Sequence, residues 1–152
     1  MTNSLSWSMN LFGTSFEVKN NRGSVGRLKL KPLSSVAEGF IGSKEYRFKP
    51  KGIFSTKVEV WQIGHSLPVA HIRYGTWGRK ALITIDQKQY TWKYENIWQT
   101  KWSLRSNDVI LIQSKDNSMF SKGTIESGST DQLLVLICLY VKKRIDMSNS
   151  YA

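Results

Sequence analysis

The chain is expected to fold as a mainly β protein, an antiparallel β-barrel or strongly curled sheet wrapped around a buried hydrophobic C-terminal helix. Two observations carry this expectation. Residues 133–141, Leu-Leu-Val-Leu-Ile-Cys-Leu-Tyr-Val, contain no charge. Wound as a helix, this run is apolar on every face, and such a helix must be buried all round. Most of the chain before it reads as eight to ten short strands at about ten-residue spacing, with turn residues between them. A sheet of that many strands, each with one apolar face, buries those faces most readily by closing on itself.

The helix has its own signals. Thr130 is placed as N-cap, Asp131 falls in the first turn, and Lys142, Lys143 and Arg144 fall in the last. That is the charge order a helix dipole favours. Val135, Ile137 and Val141 would also suit a central strand; the caps favour the helix. At ~1.5 Å per residue the uncharged run spans ~14 Å, well short of the roughly 20 residues a membrane crossing needs.

The strands follow from alternation. Phe12, Phe16 and Val18 share one parity, and a turn at 20–23 follows. Arg27-Leu28-Lys29-Leu30-Lys31 alternates with leucines in and cations out until Pro32, and Glu45-Tyr46-Arg47-Phe48-Lys49 does the same before a turn at 50–52. Gly39-Phe40-Ile41-Gly42 begins a further strand or is the loop before one. Residues 57–63, 69–74, 81–85 and 89–94 continue the meander, the last two as a hairpin. Residues 99–105 place Trp102 and Leu104 on one face. Val109-Ile110-Leu111-Ile112 is apolar on both faces, as for a strand with protein on each side. Residues 119–125 supply a last strand.

At 152 residues the chain fits one domain with a core at about 10–146, and it can bury a real core. Apolar residues at 40% and aromatics at 12% exclude a disordered tail. The one cysteine, Cys138, sits inside the apolar run and reads as an inert buried thiol, so no disulfide framework exists within the chain. Residues 1–7 show no basic stretch followed by an apolar one, and the default expectation is a cytoplasmic protein. The net charge is +11, and residues 19–57 hold ten cations against Glu38 and Glu45, a net +8. Such charge attracts anions: phosphate of nucleic acid or acidic lipid headgroups.

The order of elements in the last third is distinctive: an aromatic hairpin (Tyr90, Trp92, Tyr94), Trp102-Ser103-Leu104, the apolar residues 109–112, Lys122-Gly123-Thr124-Ile125 and the terminal apolar run. This order resembles the tubby C-terminal-like superfamily, which includes LURP-one-related proteins and phospholipid scramblases. The resemblance implies an antiparallel barrel closed around a buried C-terminal helix. It also implies a link to membranes, since tubby proteins bind phosphoinositide headgroups through basic side chains on the barrel surface. No headgroup-site residue is carried over by motif.

The candidate site is therefore drawn from this sequence alone. With Leu28 and Leu30 inward, Arg27, Lys29 and Lys31 project outward together, as Arg47 and Lys49 do around Phe48. If the two strands are neighbours, the five cations converge on a patch able to hold a multivalent phosphate. The competing reading is a solvated strand face with edge-protecting lysines. Trp77, flanked by glycines and followed by Arg79, suits contact with a membrane interface or a ligand, and equally a lid folded back on the barrel end. The other tryptophans mostly take the parity of the core, although aromatics of this kind also stack on bases.

Enzyme chemistry finds little footing. His65 and His71 are the only histidines, no metal-ligand spacing or nucleophile elbow occurs, and residues 39–44 lack the spacing of a phosphate loop. The expectation is a binding module without catalysis or cofactor, cytoplasmic or peripheral at a membrane. Its favoured partner is an acidic phospholipid surface, with nucleic acid and a ligand-free interaction scaffold as alternatives.

Overall fold

The computed structural model describes residues 3–31, 36–52, 56–75, 79–117 and 121–150. Twelve strands and one helix occur among them. The strands are β1 (Asn3–Met9), β2 (Ser15–Asn20), β3 (Gly23–Leu30), β4 (Ala37–Ile41), β5 (Lys44–Lys51), β6 (Lys57–Gln62), β7 (Ala70–Tyr74), β8 (Lys80–Ile85), β9 (Lys88–Tyr94), β10 (Lys101–Ser106), β11 (Val109–Asn117) and β12 (Lys122–Ser127), and the helix is α1 (Leu133–Ser150). Each strand pairs antiparallel with its chain neighbours, and β1 pairs with β12 to close the barrel. The expected barrel around a C-terminal helix is the fold.

Strand number sets why a helix is needed. Eight strands make a lumen that side chains alone fill, and diameter grows with strand number. Twelve leave a wider tube, and a helix with its side chains is about 10–12 Å across. Every residue from Leu133 to Val141 is buried. Fully burying each aliphatic side chain contributes about 1.5–3 kcal/mol of gross transfer free energy, so the helix is the largest single block of the core. Its backbone comes nearest to β3 and β4, where the inward positions include the small residues Gly26, Ala37 and Gly39. Around it, Phe48 stacks on Tyr140 at 4.5 Å and Trp92 stacks on Trp102 at 5.8 Å.

Several expectations are corrected. Twelve strands replace eight to ten. β1 lies ahead of residue 10 and buries only Trp7 among its alternating serines, so it carried no strong apolar period. The helix runs on to Ser150, which leaves Lys142, Lys143 and Arg144 in mid-helix rather than the last turn. Asp131, not Thr130, caps it: the Leu133 N–H donates to Asp131 Oδ1 at 3.0 Å. Val109 and Ile110 are both exposed, while Ile112 is buried, so β11 does not have protein on each face.

Cys138 is wholly buried, and desolvation raises its thiol well above its ordinary pKa. The thiolate is the reactive form. A disulfide reagent is therefore expected to label Cys138 only at the rate of global unfolding. Labelling at the rate of a free thiol under native conditions would show that the helix leaves the barrel.

Candidate anionic-ligand surface

The outward residues of β3, β4 and β5 are set by ladder register. Lys29 lies opposite Glu38, which lies opposite Arg47; one row along, Arg27 lies opposite Phe40, which lies opposite Glu45. The two basic strands are thus not neighbours, because β4 runs between them and inserts a carboxylate into the patch. Glu38 takes Arg47 at 3.1 Å and Lys31 at 3.8 Å. Lys49 stands over the Trp61 ring at 4.9 Å from its centroid. Arg27 and Lys29 have no ion pair among the described residues. Surface pairs of this kind contribute little to stability; their effect here is that Glu38 offsets one of the five positive charges.

A cleft of about 390 Å³ remains on this face, lined by Arg27, Lys29, Arg47, Phe40, Tyr46 and the two glutamates. Lys31 and Lys49 are outside its lining. The five expected cations therefore share one outer surface, and three of them share a cleft. Arg79 is exposed, and its guanidinium donates to the Asn96 carbonyl at 3.1 Å. Trp77 lies outside the described residues.

A second basic row adjoins the first. Lys51 lies opposite Lys57, and Lys57 opposite Arg73, so three cations face one another across β5, β6 and β7. Like charges directly opposite are destabilising in a sheet. Among the described residues only Glu59 offsets them locally, at 3.4 Å from Lys51. With His71 they line a cleft of about 360 Å³. Sequence reasoning put Lys51 in a turn and so missed the row. The signal was present: Lys51 continues the parity of Arg47 and Lys49, and Lys57 and Arg73 take the outward parity of their own strands.

Trp61 and Trp98 depart from the core parity assigned to most tryptophans. Trp61 faces outward beside Lys49, and Trp98 is exposed at 72%.

Inside the barrel one polar cluster interrupts the core. Lys142 is buried, 2.5 Å from Asp146 and 3.8 Å from Asp116, with the Trp7 ring 5.5 Å away. The Tyr94 hydroxyl donates to Asp146. Desolvation raises Asp116 above the usual carboxylate pKa, partly offset by the Ser114 hydroxyl and Lys142. Burial likewise raises the Tyr94 phenol, with Asp146 adding to it. This cluster fixes the helix near its exit from the barrel. No group of three His, Cys, Asp or Glu side chains able to hold a metal occurs among the described residues. No helix among the described residues is long and apolar enough to cross a membrane.

The fold has a counterpart. The X-ray structure of a protein from Arabidopsis thaliana superposes with a TM-score of 0.63 at 12% identity, covering 97% of this chain and 92% of that one. At that identity the likeness is one of fold. No protein-family profile matches the sequence, and no curated protein does.

Proposed function

We propose that this protein is a non-enzymatic binding module whose basic outer face holds anionic phospholipid headgroups, acting in the cytoplasm at a membrane surface without a cofactor. The observation that carries the reading is the cross-strand row Lys51–Lys57–Arg73. Three facing cations cost stability in the free protein, and a multivalent phosphate removes that cost by bridging them. The cleft of Arg27, Lys29 and Arg47, with Lys31 and Lys49 flanking it, extends the same surface across β3 to β5. A barrel around a C-terminal helix is the architecture that the resemblance to tubby C-terminal-like proteins implies, and membership of that superfamily is part of this proposal.

The test is co-sedimentation with phosphatidylcholine, phosphatidylserine and phosphoinositide vesicles across a salt series. Each cation near an anionic surface contributes about 1 kcal/mol, so Lys51→Ala/Lys57→Ala/Arg73→Ala is expected to bind acidic vesicles roughly hundredfold more weakly. Lys29→Ala/Arg47→Ala is expected to lose less, because Glu38 already offsets Arg47. Equal affinity for any oligonucleotide, with no preference for acidic lipid, would replace the lipid reading with nucleic-acid binding. Absence of both would leave an interaction scaffold.

A further inference from the structure

Two hairpin connections of the barrel are built alike. Residues 10–14, Asn-Leu-Phe-Gly-Thr, join β1 to β2, and residues 96–100, Asn-Ile-Trp-Gln-Thr, lie between β9 and β10. In each, the first asparagine clamps the loop. Asn10 Oδ1 accepts from the Thr14 and Ser15 N–H groups at 2.8 and 3.1 Å, and Asn96 Oδ1 accepts from those of Thr100 and Lys101 at 3.1 and 3.3 Å. Each asparagine amide also donates to the loop threonine hydroxyl, at 2.9 and 2.7 Å. The fourth residue is left-handed in both, Gly13 at φ 67° and Gln99 at φ 58°.

These clamps hold an aliphatic–aromatic pair out in solvent. Leu11 and Phe12 are 100% and 87% exposed, and Ile97 and Trp98 are 71% and 72% exposed. In an up-and-down meander both loops leave the same end of the barrel. It is the end where the helix emerges, since Lys143 reaches the first loop at Gly13 and Asp146 meets Tyr94 at the foot of the second. A rigid loop spent on displaying two apolar side chains is a device for inserting them into something.

The charge says into what. When every charged side chain is assigned to the nearer end of its own element, the helix-exit end carries sixteen cations against six carboxylates, a net +10. The opposite end carries six against five, a net +1. That end also exposes apolar residues, Leu67 at 73% and Val109 at 60%, but without the accompanying field. Apolar tips ringed by cations suit an anionic bilayer: the aromatics settle at the headgroup level and the cations stay in the lipid phosphate layer.

We propose that the protein docks end-on on an anionic lipid bilayer, with the helix-exit end down and Leu11, Phe12, Ile97 and Trp98 entering the interface. This rests on the headgroup reading above and adds orientation and insertion to it.

Partition onto phosphatidylcholine and onto equimolar phosphatidylcholine–phosphatidylserine vesicles tests it, with a lipid-free oligonucleotide run alongside. Phe12→Ser/Trp98→Ser is expected to bind acidic vesicles at least tenfold more weakly, whereas Leu67→Ser/Val109→Ser at the other end binds as the wild type does. Both pairs are exposed, so folding is retained in each and circular dichroism verifies it. Vesicles with brominated acyl chains are expected to quench wild-type tryptophan emission more than that of Trp98→Phe. Binding unchanged in the tip variant but lost in Lys51→Ala/Lys57→Ala/Arg73→Ala would overturn end-on insertion and leave headgroup binding standing. Failure of the wild type to bind acidic vesicles would overturn both, as would oligonucleotide binding indifferent to the tips with no lipid preference.

Discussion

Replacing Leu136 with aspartate is expected to abolish the folded state. Leu136 is fully buried in the first turn of a helix whose opening turns are themselves surrounded by the barrel, so no rotamer carries the carboxylate to water. The change removes the transfer free energy of one leucine and adds an uncompensated buried charge, several kcal/mol in all. Single domains have only about 5–15 kcal/mol in hand. The companion Leu136→Ala should cost about 2–5 kcal/mol and leave a folded barrel of lower melting temperature. Circular dichroism with urea titration reads both. A soluble, cooperatively unfolding Leu136→Asp protein would show that the helix is not the centre of the core.

Lys142→Met is the second large effect. Asp116 has a side chain only 1% exposed, with Lys142 as its cation. Removing one member of a buried pair typically costs about 3–5 kcal/mol, because the other charge is left unmatched. Adding Asp116→Asn should recover much of that loss. The pH dependence has a definite sign. Asp116 is raised above 3.8 in the folded state, so the fold binds its proton more tightly than the unfolded chain does. Its contribution is full below pH 3.8 and is lost as pH rises through the folded value. Glu95 is the opposite case, lowered from 4.5 chiefly by the Ser103 hydroxyl and then by Arg105. Its contribution is present above pH 4.5 and lost as pH falls through its depressed value. Asp116→Asn alone should therefore lose stability more steeply on acidification than the wild type. An unchanged acid limb in urea titrations would refute that role.

The parts of the fold legible in sequence are those where one physical requirement acts alone. An uncharged run of nine residues can only be buried, and Arg27-Leu28-Lys29-Leu30-Lys31 can only alternate. β1 was illegible because its inner face needs little apolar surface beyond Trp7 where it meets β12. The helix end was illegible for a related reason: Lys142 reads as a terminal cation until Asp116, on β11, is known to face it. For the candidate site, parity gave the direction of each cation but not its neighbours. Only ladder register shows that β4 places Glu38 among Lys31 and Arg47, and that Lys51, Lys57 and Arg73 stand in one row. The two clamped loops carry matching residues at matching spacing, but their placement at one end of a barrel depends on strand order.

Closure of the barrel by β1 with β12 also governs how the chain can reach this state. The pairing that seals the tube joins residues more than a hundred positions apart, and the plug follows it in sequence. A growing chain thus holds an open, curled sheet with an apolar concave face until α1 is made. Long-range closures of this kind are slow and pass through sticky intermediates. The interval before α1 docks, when that concave face is open, is where aggregation is expected to compete with folding.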